Sequence, residues 1–182
     1  GEAFDKAARA MGMPYPGGVE MDRIAEEGNP EAFRLPHPKV DGAPYDFSFS
    51  GLKTAVINLI HNAKQKGEEL PIPDLAASFR KAVVDCLVQN LVKAAQESGA
   101  KKLVIAGGVS ANSLLRRRLE EECSRSGWNL YKPALNLCGD NAAMVGAQGY
   151  YEYLAGHTAG LDLNACAEMP IQGPQAQQNP RR

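Results

Sequence analysis

Residues 101–122 read KKLVIAGGVSANSLLRRRLEEE, an apolar run that stops at two glycines and resumes as a charged amphipathic segment. Leu103, Val104, Ile105 and Ala106 predict a strand covered on both faces, as in a parallel sheet. Gly107 and Gly108 permit backbone angles closed to other residues. Ser110 or Asn112 can then cap a helix running through Leu114, Leu115 and Leu119. Strand, glycine turn and helix in that order predict an α/β fold. They also predict where a ligand would sit: at the carboxyl end of the strand, against helix N–H groups suited to a phosphate.

Downstream, WNLY at 128–131 predicts a second strand, and Pro133 opens a loop over 134–139. Asp140 begins the next helix, which runs through Tyr151. By position it fits two roles, the N-cap of that helix or a metal ligand aimed into the cleft of Gly107 and Gly108. Gly146 and Gly149, with Ala142, Ala143 and Ala147, make a smooth helix face that predicts an unusually close neighbour.

Upstream, Leu75, Phe79, Ala82, Leu87, Leu91 and Ala95 mark the inner face of a long helix from the capping residue Asp74 to Gly99, packed across the sheet. Another helix runs through Leu52, Val56, Leu59 and Ile60. Between residues 33 and 49 the alternation of apolar and polar residues, with Pro36, Pro38 and Pro44, predicts edge strands or loop. At the start, Phe4, Ala7, Ala8 and Met11 fall at i, i+3, i+4 and i+7, the stripe of an amphipathic helix that Gly12 ends. Asp5 lies beside that stripe, where spacing pairs it with Arg9 one turn on. Met13-Pro14-Tyr15-Pro16-Gly17-Gly18 is either an ordinary interhelical loop or a backbone able to approach a ligand closely. Residues 21–27 predict a short helix on which Asp22, from spacing alone, is a solvated carboxylate.

Composition narrows the class. At 182 residues, 44% hydrophobic and 23% charged, the chain is an ordinary globular domain or one lobe of a two-lobed protein. A net charge of −1 gives no overall basic field for nucleic acid, and the run Arg116, Arg117, Arg118 is offset by Glu120, Glu121 and Glu122. Cys86, Cys123, Cys138 and Cys166 form no CxxC pair, so reduced thiols in a cytoplasmic protein are expected. His37, His61 and His157 form no HxxxH pair, and no HExxH motif or nucleophile pair can be placed. No apolar stretch is long enough for a membrane helix. The chain opens at Gly1 without an initiator Met, which predicts an excised fragment, and residues 167–182 are rich in Gln and Pro, which predicts a disordered tail.

Four ordered motifs then carry a resemblance: GEAFDKAAR (1–9) with PYPGG (14–18), SFSGLKTAV (48–56), GGVSAN (107–112) and CGDNAAM (138–144). Together they resemble the C-terminal part of the TsaD-type tRNA threonylcarbamoyladenosine transferases, formerly called glycoproteases or O-sialoglycoprotein endopeptidases. The wording of SFSGLKTAV is closer to the bacterial branch. The resemblance implies an actin-like ATPase fold, two ribonuclease-H-like lobes around a nucleotide cleft, with residues 1–166 as most of the second lobe and its helical additions. It also implies transfer of threonylcarbamoyl from threonylcarbamoyl-AMP to the exocyclic amine of the adenosine beside the anticodon, with AMP leaving.

Carried over motif by motif, the resemblance places the adenylate on Asp5, Gly18, Asp22 and Asn112, and one divalent metal, iron or zinc, on Asp140. Carboxylates suit ribose hydroxyls as hydrogen-bond acceptors. No residue is implied as a catalytic acid or base. The implied partners are tRNA, a paralogous subunit and an ATPase, with no membrane. The family's histidine pair and the loop that grips the threonylcarbamoyl end belong to an N-terminal lobe that is absent from this sequence. The isolated chain is therefore expected to hold metal weakly and not to turn over, and to expose apolar surface where that lobe would sit. Two other readings stand beside this one: a nucleotide-binding scaffold lobe without activity of its own, and another ATPase of the same fold.

Overall fold

A computed structural model describes residues 1–37, 40, 42 and 45–165. Among these the order is α1 (Glu2–Ala10), α2 (Gly17–Ile24), α3 (Ser50–Lys66), α4 (Ile72–Ser98), β1 (Lys102–Val104), a 3-10 turn at Gly108–Ala111, α5 (Ser113–Ser126), β2 (Asn129–Tyr131), a second 3-10 turn at Leu135–Leu137, and α6 (Ala142–Leu154). The chain divides into two compact units, residues 1–140 and residues from 141 onward. Cys166 and the tail of 167–182 lie outside the described residues, as do Pro38 and Pro44.

The first unit is α/β with helices dominating. β1 and β2 pair in parallel, Lys102 with Asn129, Leu103 with Leu130 and Val104 with Tyr131. A parallel pair needs a crossover, and α5 supplies it. The strand is shorter than the apolar run predicted and is not covered on both faces. Leu103 is buried at 6% exposure, while Val104 is 70% exposed and Tyr131 51%. Alternate strand residues face opposite sides, so one face of this two-stranded sheet is packed and the other is open among the described residues.

α4 runs about 40 Å, at 1.5 Å per residue, and the apolar clusters are strung along it. Near its start Leu75, Phe79 and Val83 pack with Phe4, Ala7 and Ala8 of α1, Met21 of α2, and Leu52 and Val56 of α3. Phe4 and Phe79 meet edge to face, their centroids 5.5 Å apart. Midway, Val84 and Val88 meet Leu115 and Leu119 of α5. At its end Ala95 meets Leu103 of β1 and Cys123. The helix is thus a spine for other helices near its start and meets the sheet from its middle onward, with Ile105 and Leu130 in the middle cluster and Leu103 at its last turns. Burial pushes the Cys86 and Cys123 thiols above their ordinary range, which keeps them protonated and poorly nucleophilic.

Two expected caps are displaced. α4 begins at Ile72, two residues before Asp74, because Pro71 and Pro73 lack the N–H that a cap would satisfy. Asp74 instead accepts a hydrogen bond from Asn29 N at 2.8 Å. Likewise Asn141, with extended backbone, caps α6 by accepting from Met144 N at 3.0 Å, so Asp140 is not the cap. The stretch of 33–49 carries no strand among its described residues, because its prolines remove ladder donors. In the second unit, a Cβ at Gly146 or Gly149 would meet nothing within 4 Å among the described residues. The close neighbour expected there is not found.

Candidate functional site

The carboxyl end of β1 leads into Gly107, whose φ of 82° with ψ of 171° is open only to glycine. The chain then makes its 3-10 turn and enters α5. Of the two candidate caps it is Asn112 that closes the helix, its Oδ1 accepting from Leu115 N at 2.9 Å. Ser110 is buried, and its hydroxyl finds no partner among the described residues.

Opposite this turn stand α1 and the start of α2. Asp5 does not pair with Arg9. Its Oδ1 accepts from Gly17 N at 2.9 Å, which places a carboxylate on an otherwise unsatisfied donor at the N-terminus of α2. Only glycine fits at that corner: a Cβ on Gly17 would stand 2.2 Å from Ala8 Cβ. Gly18, the next residue, is half-buried, and a Cβ on it would meet only Phe4 Cβ, at 3.9 Å, among the described residues.

Between the two walls lies a cavity of about 530 Å³ lined by Asp5, Pro16, Gly18, Val19, Asp22, Gly108, Asn112 and Leu135, among others. That volume lies within the ordinary range for small-molecule sites, roughly 300–1,000 Å³. Its composition is also ordinary for such a site, apolar with a few converging polar groups. Four of the five residues named from sequence meet here, drawn from segments about 100 residues apart in the chain. Leu135, from the loop after β2, was not foreseen, since one leucine in a loop gives no periodic signal.

Asp22 is not the solvated carboxylate that its spacing suggests. Its side chain is 19% exposed. Oδ1 accepts from Asn112 Nδ2 at 2.8 Å, Arg80 Nη1 at 2.9 Å and Ser113 Oγ at 3.1 Å, and Oδ2 accepts from Ser113 N at 2.9 Å. One aspartate therefore joins α2 to the cap and first residue of α5. Arg80, buried on α4, also reaches Glu26 Oε1 at 2.6 Å and the carbonyls of Asp22 and Ala25. The Arg80 hydrogen bond holds the Glu26 carboxyl below its ordinary range, helped by the guanidinium charge and opposed by partial desolvation. Sequence reading missed Arg80. The signal was present in an arginine interrupting the buried stripe of Ala76, Val83 and Val84.

The basic run on α5 is largely engaged within the chain. Arg118 pairs with Asp85 at 2.8 Å. Arg116 donates to Ser110 O at 2.6 Å, Pro133 O at 2.7 Å and Cys138 Sγ at 3.2 Å, tying the glycine turn to the loop that precedes Asp140. Asp140 itself is exposed and is not a lining residue of the cavity. Among the described residues no group of His, Cys, Asp or Glu side chains gathers as a metal site requires. One carboxylate does not retain a transition metal. The described residues do not by themselves fit the expected iron or zinc site. No helix among the described residues is long and apolar enough to cross a membrane.

Residues 1–147 match the family model described as TsaD, tRNA N6-adenosine threonylcarbamoyltransferase. Curated proteins of that name include one from Clostridium botulinum (strain Kyoto / Type A2), 47% identical over 171 residues that make up 94% of this chain and 50% of that protein. One from Moorella thermoacetica is 48% identical with the same coverage. One from Bacillus cereus is 51% identical over 173 residues, again half of its length. The chain thus spans about half the length of the curated relatives it matches. Among solved structures, full-length HypF in its phosphate- and nucleotide-bound form superposes with a TM-score of 0.59 at 22% identity, covering 85% of this chain and 20% of HypF. At that identity the likeness speaks to the fold alone.

Proposed function

The chain belongs to the tRNA N6-adenosine threonylcarbamoyltransferase family, and from that membership we propose that it forms the adenylate-binding half of a transferase acting on tRNA. Its fold is one lobe of an actin-like ATPase. The reaction moves threonylcarbamoyl from threonylcarbamoyl-AMP to the exocyclic amine of the adenosine beside the anticodon. The amine nitrogen attacks the carbamoyl carbon, the bond from that carbon to the phosphate oxygen breaks, AMP departs, and the nitrogen loses a proton.

In this reading Asp5 and Asp22 accept hydrogen bonds from the ribose hydroxyls, and Gly18 lets the nucleotide lie against backbone. Asn112 and the N–H groups of the glycine turn at the head of α5 face the phosphate. The chain's own residues bind and orient. Holding the mixed anhydride in one pose is worth much of the barrier when the attacking group arrives from a second macromolecule. Asp140 is this chain's contribution to the iron or zinc sphere, with the other ligands drawn from the half of the relatives' length not spanned here. That metal would supply Lewis-acid polarisation. A paralogous subunit and an ATPase complete the cytoplasmic assembly, and the chain alone does not turn over.

The single observation carrying this proposal is the convergence of Asp5, Gly18, Asp22 and Asn112 on one cavity. Calorimetric titration of the chain with AMP tests it. Binding that weakens by about tenfold, 1.4 kcal/mol, in both Asp5→Ala and Asn112→Ala is expected. Binding untouched by either substitution would place the nucleotide elsewhere.

A further inference from the structure

We propose that Arg80 is a positioning residue of this cleft, a buried guanidinium that sets the Asp22 carboxylate and, through it, the carboxamide of Asn112. The identity of the cleft's ligand rests on the preceding section; the positioning itself does not.

Arg80 is 5% exposed and does not line the cavity. Burying a guanidinium among the apolar residues Ala76, Val83 and Val84 is unfavourable unless its partners are excellent. Methionine or leucine would pack with Ala76 and Val83 at no such cost. What the charge achieves is a junction. From α4, Arg80 Nη1 reaches Asp22 at 2.9 Å, Glu26 at 2.6 Å and Ser113 Oγ at 3.2 Å, so it fastens α2 to the start of α5. Those two segments carry the cavity's polar groups. The Arg80 Nε is left buried without a partner among the described residues, so the placement satisfies Asp22 and Glu26 ahead of the arginine's own donors.

Consider the acceptor capacity of Asp22. A carboxylate offers about four lone-pair sites. Among the described residues Oδ1 receives Arg80, Asn112 and Ser113 Oγ, while Oδ2 receives only Ser113 N. The acceptor left for a ligand hydroxyl is therefore on Oδ2. Asn112 is likewise constrained, with Oδ1 on the α5 cap and one Nδ2 hydrogen on Asp22. Removing Arg80 lets Oδ1 swing toward the cavity and loosens both.

Two substitutions test this in the chain as it stands, Arg80→Met and Arg80→Lys. The ligand-free readout is the Ser113 backbone amide and the Asn112 side-chain amide pair in proton–nitrogen spectra. In Arg80→Met both are expected to move while the amides of β1 and β2 stay in place. Arg80→Lys, which keeps the charge but not the planar fork, should move them part of the way. AMP affinity should fall about tenfold in Arg80→Met and recover to within about threefold in Arg80→Lys, and Arg80→Met should add little once Asp22→Asn is present, as coupled residues behave. If Arg80→Met does not fold, Arg80→Lys decides alone. Folded variants with unmoved Ser113 and Asn112 signals and unchanged AMP affinity would overturn the proposal. So would an equal loss of affinity with and without Asp22→Asn, which marks a helix-packing role. If the unsubstituted chain binds no AMP while the signals still move as described, the nucleotide reading fails and the positioning stands.

Discussion

Asp22 is 19% exposed at its side chain and accepts hydrogen bonds from Arg80, Asn112 and both donors of Ser113; Asp140 is exposed and has no such donor among the described residues. Family motifs single out both. The difference teaches that two carboxylates named by one resemblance can be held in quite different ways. Asp22 is fixed by this chain alone, so its geometry is available before any ligand arrives. Asp140 is exposed, and no donor among the described residues fixes it.

The largest expected effect tests that contrast directly. Asp22→Ala strips a buried guanidinium of one of its two carboxylates and leaves Asn112 and Ser113 with unmatched donors. Removing one partner of a fully buried pair costs roughly 3–5 kcal/mol. Because Glu26 remains and Asp22 is partly exposed, about 2–3 kcal/mol is expected here, read as a lowered urea midpoint. Asp140→Ala should change stability by less than about 0.5 kcal/mol. Equal losses in the two variants would break the comparison.

A second prediction concerns Asp5, which lies between these extremes because it is held by backbone. In Gly17→Ala the new methyl would stand 2.2 Å from Ala8 Cβ, a contact that no rotamer relieves. Overpacking of this kind costs roughly 1–3 kcal/mol. The same shift lengthens the hydrogen bond from Gly17 N to Asp5 Oδ1, now 2.9 Å, so AMP affinity should fall along with stability. Gly18→Ala, whose nearest neighbour is 3.9 Å away, should spare the fold and affect only the ligand. Urea denaturation of the two variants side by side separates packing from binding at adjacent glycines.

The contrast also explains what was legible in the sequence. Apolar periodicity gave α1, α3 and α5 because their buried faces repeat, and the apolar run with its double glycine gave β1 and the turn after it. The motif residues Asp5, Gly18, Asp22 and Asn112 were named by resemblance, while spacing alone assigned Asp5 to Arg9 and Asp22 to solvent. Spacing sees neighbours three or four residues along one helix. It cannot see that Gly17 N lies against Asp5, or that Arg80, 58 residues on, lies against Asp22. Helix starts were missed for a local reason, since Pro71 and Pro73 moved the beginning of α4 ahead of Asp74 and Asn141 displaced Asp140 as a cap.

The smallest effect probes the solvent side of the same junction. Glu26 is held below its ordinary range first by the Arg80 hydrogen bond, then by the charge of Arg80, the Ser113 hydroxyl and the charge of Arg117, against partial desolvation. A carboxyl depressed on folding stabilises the folded state fully above its unfolded value, near 4.5, and loses that contribution as pH falls through the folded value. Its side chain is 50% exposed, so screening holds the contribution to about 0.2–1 kcal/mol. Other carboxyls, Glu2, Glu20 and Glu152, are also lowered, and total acid stability mixes them all. The difference between the unsubstituted chain and Glu26→Gln isolates this one. At neutral pH Glu26→Gln should be the less stable of the two, and the gap should close as the solution is acidified below about pH 4.5. A gap that stays constant across that window would mean that Arg80 leans on Asp22 alone, and the junction would then have a single anchor rather than two.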